Sequence, residues 1–427
     1  MVLRTCLIVG LAVLGLWIGP VPAAAPASAA VRSAPVDGVD RPNALEAPAE
    51  RFPSVGGAGA SSGIVDRAVD LELRALDLQE IEDAYREALS KYRDYLGDLP
   101  RTDLRSMIAG ATRGLPWSNA FGGVIRLMFN ELVTLGALIA TILLLTVFST
   151  VLEHIQGAFE QRAVSRVAQY VTFLILSVLV LESFHVAADS AKQAIDTMSH
   201  IMYAFLPVLL SLIAASGGVL TAGLFHPFVL FLIHTSGLII GQIVFPLFFF
   251  STVLSLVSLF SEQYALNNLS RLLSRIAVTV LSIFFTVFLG VLSVQGTAAA
   301  VADGVTLRTA KYIVSNTVPV FGRMFSDATE TVMGAAVLVK NALGLVGVFL
   351  LFVVAAFPAV KVFLLAFVYQ FSSAVLQPLE NGPIVRALEA IGGALMFIFA
   401  AMTALGIMFY LSLVLLIVAG NSTLFVR

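Results

Sequence analysis

A chain of 427 residues that is 59% hydrophobic and only 12% charged is far from the soluble norm of about 25% charged and 45–50% apolar residues. This composition excludes a soluble enzyme, a disordered tail and a disulfide-stapled secreted scaffold, and a formal charge of −2 with a pI near 6.2 excludes the basic footprint of a nucleic-acid binder. The apolar residues come in long runs rather than alternating over about ten residues, so an all-α, polytopic transmembrane bundle is expected and a β-barrel is not.

Residues 1–29 read as a secretory signal peptide. Arg4 supplies the positive start, Cys6 to Ile18 the apolar core, and Ala27-Ser28-Ala29 an A-x-A cleavage site. The core is short for a span, so cleavage is expected rather than an uncleaved anchor. Cys6 is the single cysteine, so no intrachain disulfide forms. Residues 30–63, rich in Ala, Pro, Gly and Ser, read as a flexible linker.

Residues 64–115 carry dense mixed charge over one apolar stripe: Leu78, Ile81, Tyr85, Leu89, Tyr92, Leu96 and Leu99. Spacings of three and four place these side chains on one helical face. Pro100 ends the helix, and Thr102 or Asp103 is placed to cap a second, short one. Two readings stand side by side. One is a small extracytoplasmic helical hairpin resting on the membrane domain; the other is a partner-binding helix using Leu78, Ile81, Tyr85, Leu89 and Tyr92.

The membrane domain is expected over 116–427. Segments 132–152, 167–188, 276–295, 343–369 and 394–419 are long and apolar enough to span. Residues 189–200 are polar with a helical pattern. Residues 201–223 are apolar but interrupted by Pro207 and Gly217-Gly218. Residues 225–260, interrupted by Pro227 and Pro246, suggest a re-entrant piece followed by a span. The expected total is about six firm spans, six to eight with the broken ones. Arg162, Arg166, Arg271, Arg275 and Arg386 cluster in loops that would be cytoplasmic. The N-terminal region and the polar segments at 189–200 and 297–340 then lie outside.

A period of about 110 residues suggests an internal duplication. Ser165-Arg166-Val167-Ala168 returns as Ser274-Arg275-Ile276-Ala277, Pro207-Val208 as Pro319-Val320, and Phe245-Pro246 as Phe357-Pro358. The units run over about 160–272 and 273–385, and Arg386 with the final span begins a truncated third copy. Pro207, Pro246, Pro319 and Pro358 are expected to break their helices, as in transporters built from repeats.

No phosphate loop, H-E-x-x-H or G-x-S-x-G is present, and the five histidines are scattered. Catalysis, metal binding and a cofactor are therefore not expected. Polar residues inside spans are costly and often functional. Gln242, Gln295 and Lys361 are the candidates there, Lys361 open to pathway lining or to snorkelling. Arg308 and Lys311 share one helical face in the small-residue stretch 293–311, and Arg323 begins an amphipathic helix over 319–330. These charged faces either line a pore or face water.

Several stretches carry a family resemblance. They are Ser216-Gly217-Gly218 with Phe225-His226-Pro227, residues 293–311, residues 319–331, Ala356-Phe357-Pro358-Ala359-Val360-Lys361, and Leu376-Gln377-Pro378-Leu379 with Gly382-Pro383. In these the chain resembles the stage III sporulation protein AE family of endospore-forming bacteria, from about Leu96 to Asn421. The resemblance implies a polytopic member of the complex encoded by the stage III A operon, in the mother-cell membrane around the forespore. It implies other stage III A sporulation proteins as partners and, indirectly, the forespore's stage II sporulation protein Q. The complex it implies is a secretion-like channel supporting late forespore development, with no catalytic residues to carry over. An assembly scaffold without a conducting path and a stand-alone secondary transporter are the competing readings. An intramembrane enzyme has no nucleophile–base pair to support it.

Overall fold

In a chain this apolar each backbone N–H and C=O must be satisfied within its own segment, which favours helices throughout. The structure, a computed structural model, describes residues 76–96, 104–111, 115–157, 162–260, 266–317, 321–378 and 382–425, and every element among them is helical. The expected signal peptide and linker, Leu99 and Pro319 lie outside the described residues. In chain order the helices are α1 (Gln79–Lys91), α2 (Arg93–Leu96), α3 (Leu104–Ala111), α4 (Trp117–Gly157), α5 (Arg162–Ala215) and α6 (Val219–Leu238). A π-helical segment (Ile239–Val244) follows, then α7 (Phe245–Phe260), α8 (Asn267–Thr317), α9 (Phe321–Leu376) and α10 (Pro383–Phe425).

Among the described residues six helical rods are long and apolar enough to cross a membrane: Trp117–Phe148, Leu174–Ala215, Val219–Leu259, Asn267–Val294, Val332–Leu376 and Pro383–Val418. The firm spans expected from hydropathy all fall on these rods. The broken segments resolve differently. Residues 189–200 do not interrupt α5, and Pro207 lies inside that helix. Residues 225–260 form no re-entrant piece; α6, the π segment and α7 run on as one rod. Pro358 likewise lies inside α9 without ending it. Neighbouring helices re-satisfy the backbone groups that a proline frees, so proline is tolerated in such bundles.

The link from α5 to α6 is a tight one. Gly217 takes φ 97°, its N–H bonds the Ala214 carbonyl, and the Gly218 N–H reaches back to the Ile213 carbonyl at 2.9 Å. This pairing is the Schellman arrangement, which requires the left-handed conformation that glycine adopts without strain. It turns α6 back along α5.

The core lies around α9, which packs on α10, α5 and α4. Small residues set the spacing. A Cβ on Gly344 would meet Ile417 at 2.5 Å, and one on Gly347 would meet Phe205 and Leu413 at 2.9 Å. Between α7 and α8 a serine lattice replaces apolar packing. Ser251 Oγ lies 2.8 Å from the Ser270 carbonyl and 2.6 Å from Ser274 Oγ, and Ser255 and Ser270 hydroxyls are 2.6 Å apart.

The N-terminal stripe is internal. Leu78, Ile81, Tyr85, Leu89, Tyr92 and Leu96 are all buried. The Tyr85 hydroxyl donates to Met107 Sδ of α3 at 3.1 Å, and the Tyr92 ring stacks on Phe357 of α9 at 4.6 Å. This corrects the partner-binding reading of Leu78, Ile81, Tyr85, Leu89 and Tyr92. The stripe is satisfied within the chain, because some fifty residues with one apolar face bury it on the nearest apolar surface.

Candidate functional site at a polar belt

Hydrophilic side chains gather at one level of the bundle. Along α5 the apolar run 167–188 rises about 33 Å, close to the thickness of a bilayer's hydrocarbon core. It ends at Asp189, followed by Lys192 and Gln193. The antiparallel register of α5 and α9 is fixed by the Ser183–Tyr369 hydroxyl pair at 2.6 Å and by Phe205 against Gly347. That register sets Asp189 near Lys361. On α4 the same level holds Asn130 and Glu131: Lys361 Nζ lies 3.9 Å from Glu131 Oε1, and Asn130 Nδ2 donates to the Tyr95 hydroxyl at 3.1 Å. The N-terminal hairpin completes the belt. Lys91 Nζ donates to Gln193 Oε1 at 3.2 Å, and Gln193 Nε2 donates to Asp189 Oδ2 at 2.7 Å. Burial between α9 and its own helix holds the Tyr92 hydroxyl well above the usual tyrosine range.

At this level a cleft of about 380 Å³ opens between α5 and the π segment with α7. Phe184, His185, Ala188, Asp189 and Lys192 form the α5 wall; Gly241, Phe245, Pro246, Phe249 and Phe250 form the other. The π segment has a local cause. Pro246 has no N–H to give the Gln242 carbonyl, and its ring crowds that carbonyl, so the register widens just before it. The rings of Phe184 and Phe249, 5.5 Å apart, meet at one end of the cleft. His185 stands beside Phe184, and Asp189 and Lys192 sit at the other end, further along α5. A concave site with an aromatic body and a few convergent polar groups is the ordinary form of a binding cleft.

A second polar centre lies in the core. Lys340 of α9 is fully buried. Its Nζ donates to the Ile417 carbonyl at 3.1 Å and to Asn421 Oδ1 at 2.7 Å, both on α10. Sequence reading placed Lys340 in a long polar outer segment and passed over it. The missed signal is local: a lone cation flanked by Val332–Val339 and by residues 342–360, both apolar. Glu131 was missed because it stands at the edge of the first apolar run.

The residues singled out from sequence do not form one site. Lys361 is half-exposed in the belt, beside Glu131. Gln242 is exposed within the π segment; its neighbour Gly241, not Gln242, lines the cleft. Gln295, Arg308 and Lys311 lie along α8 and Arg323 in the first turn of α9; their side chains are outside the described residues. Of the expected proline breaks among the described residues, Pro207, Pro246 and Pro358, only Pro246 marks a change in helical register. Among the described residues no three His, Cys, Asp or Glu side chains come together as a metal site would need.

The profile of the stage III sporulation protein AE family matches residues 102–420. The chain belongs to the stage III sporulation protein AE family. It is 44% identical over 355 residues to the stage III sporulation protein AE of Bacillus subtilis (strain 168), covering 83% of this chain and 88% of that relative. No solved structure matches. The family match takes in α3 to α9 and α10 as far as residue 420, and with them Glu131, Asp189 and Lys361 of the belt, the cleft and Lys340; the hairpin's Lys91 and Tyr95 lie before it.

Proposed function

We propose that this member of the stage III sporulation protein AE family is a multi-pass component of a transport channel complex between mother cell and forespore, supporting late forespore development. Its place is the mother-cell membrane around the forespore, with the N-terminal hairpin on the extracytoplasmic side. Its partners are the other stage III A sporulation proteins and, indirectly, the forespore's stage II sporulation protein Q. It acts by binding and conduction rather than by catalysis. The observation that carries this reading is family membership in a chain with six rods long and apolar enough to cross a membrane and a belt of hydrophilic groups among them. We take the internal duplication as part of the same reading. A helix of over fifty residues, α5 and then α8, is each time followed within three residues by another apolar rod.

Cysteine accessibility tests it. With the signal peptide removed the chain has no cysteine, so single cysteines at Gln242, Gln295, Lys361 and Arg323 report alone. A membrane-impermeant thiol reagent is added to sporulating cells, Arg323 serving as the outer control. The channel reading expects labelling at Gln242 and Lys361 that disappears when the partner proteins are deleted. Labelling at Arg323 alone transfers the role to that of an assembly scaffold. That second reading has its own support, since residues 342–358 of α9 are buried but for a half-buried Leu345 and leave no face there for a path.

A further inference from the structure

The cleft beside the π segment is graded in polarity along the bundle axis. From Phe184 to Lys192, α5 passes from an aromatic ring to His185, Asp189 and an ammonium; the opposite wall passes from Phe250 and Phe249 to Gly241 in the same direction. The gradient has the sense of one leaflet. The aromatic end lies toward the apolar run of α5, and the charged end lies where that run stops. A rise of about 33 Å over 167–188 puts Asp189 and Lys192 at headgroup depth when the other end of the run lies at the opposite membrane face. Phe249 and Phe250 are 39% and 56% exposed, so the aromatic end is open sideways, toward where acyl chains lie.

The charges narrow the occupant. The wall carries one carboxylate and one ammonium, three residues apart on one face of α5. Gln193 holds Asp189 by one oxygen and is itself held by Lys91 of the hairpin, so the carboxylate is fixed while keeping acceptor capacity. A headgroup bearing both phosphate and ammonium meets both charges. A purely anionic headgroup meets Lys192 but sets its charge against Asp189. The volume, about 380 Å³, suits a headgroup with the first part of its chains, within the usual range of roughly 300–1,000 Å³ for ligand clefts.

We infer that the cleft between α5 and the π segment is a binding site for a zwitterionic aminophospholipid, with Asp189 taking the ammonium, Lys192 the phosphate and Phe184, Phe249 and Phe250 the acyl chains. This does not rest on the channel reading; a scaffold would carry the same site.

The test is native mass spectrometry of the full-length protein, delipidated in detergent and titrated with phosphatidylethanolamine, with phosphatidylglycerol of the same chains, and with glycerophosphoethanolamine. The expected result is one saturable phosphatidylethanolamine, bound at least roughly tenfold tighter than phosphatidylglycerol, as loss of one charge-assisted contact implies. Lys192→Gln and Asp189→Asn each weaken it by about tenfold, Ala188→Trp fills the cleft and abolishes it, and Arg126→Gln on α4 leaves it unchanged. Equal binding of the two lipids overturns the inference, as does charge variants that bind like the parent. Glycerophosphoethanolamine binding as tightly as the lipid overturns it too, because the aromatic end then plays no part. Should Ala188→Trp aggregate, the two charge variants decide alone.

Discussion

The burial of Lys340 makes a sharp prediction about asymmetry. Its Nζ is held by a backbone carbonyl and a side-chain amide oxygen, with no carboxylate among its partners in the described residues. Asn421→Ala removes the shorter bond and leaves the ammonium in the core with the Ile417 carbonyl. A hydrogen bond to a charged group contributes about 1.5–3 kcal/mol, so a loss near the upper end is expected. Lys340→Met keeps a stem of similar volume and takes the charge away together with its bonds. What remains is two oxygens short of a donor, costing about 1–2 kcal/mol. The double variant Lys340→Met/Asn421→Leu replaces polar groups by apolar ones of similar size and should return to within about 1 kcal/mol of the parent. The assay is thermal unfolding in detergent, followed by the fluorescence of Trp117, which packs edge-on against Phe349 and Phe352 in the bundle. Each kcal/mol corresponds to a shift of about 2 °C in a domain above 150 residues. An Asn421→Ala loss smaller than that of Lys340→Met, or simple additivity in the double variant, would refute the claim that a buried charge organises this contact.

Other expectations follow from the same geometry. Lys361→Ala or Glu131→Ala should cost no more than about 1 kcal/mol in the same melt, because the pair is 3.9 Å apart with the lysine half-exposed; a larger loss would show a dry pair. Gly123→Ala should loosen the N-terminal hairpin, since its Cβ would lie 2.8 Å from the Tyr95 carbonyl oxygen and 3.3 Å from Phe357; overpacking of this kind costs about 1–3 kcal/mol, read as faster proteolysis within residues 79–96. Hairpin docking should also be alkali-sensitive. Tyr92 is raised by burial, so docking is intact below the free phenol's range near 10 and weakens as pH rises above it; exchange protection over 79–96, taken relative to the intrinsic rate at each pH, should hold up to about pH 10 and fall above it, and should do so less in Tyr92→Phe. Mass spectrometry of the mature protein should give a chain beginning at Ala30, the position that follows the A-x-A site.

Hydropathy made the rods legible and their ends illegible. Runs such as 132–152 and 394–419 identify themselves, because about 20 apolar residues in a helix are a self-sufficient signal. Residues 189–200 read as a separate outer element since nothing in the local sequence reports that α5 continues through them. In space they carry the N-terminal hairpin, α1 reaching them through the Lys91–Gln193 bond, a contact across 102 positions. The prolines misled for a related reason. Isolated, Pro207 and Pro358 would break a helix at a cost of about 3 kcal/mol; packed among neighbours they do not. Pro246 differs in what lies beside it. Among the described prolines, the one that altered the register is the one that lines the cleft.

Site legibility followed the same rule. Lys361 could be read because a cation inside an apolar run is conspicuous. Its partner Glu131 could not, because it stands 230 positions away, at the rim of another run. Lys340 was hidden by its surroundings in the sequence and exposed by its surroundings in space: the charges that made 297–340 look like a solvated segment end at that residue, and its two acceptors come from the far end of the chain. Contacts that join distant spans are therefore where function in this bundle is least visible from composition. The belt is of that kind, linking α1, α4, α5 and α9; the cleft and the Lys340 contact join consecutive rods, but through side chains some 50 to 80 positions apart. Substitutions at Asp189, Glu131 and Asn421 should therefore discriminate among functional readings better than substitutions at the conspicuous prolines.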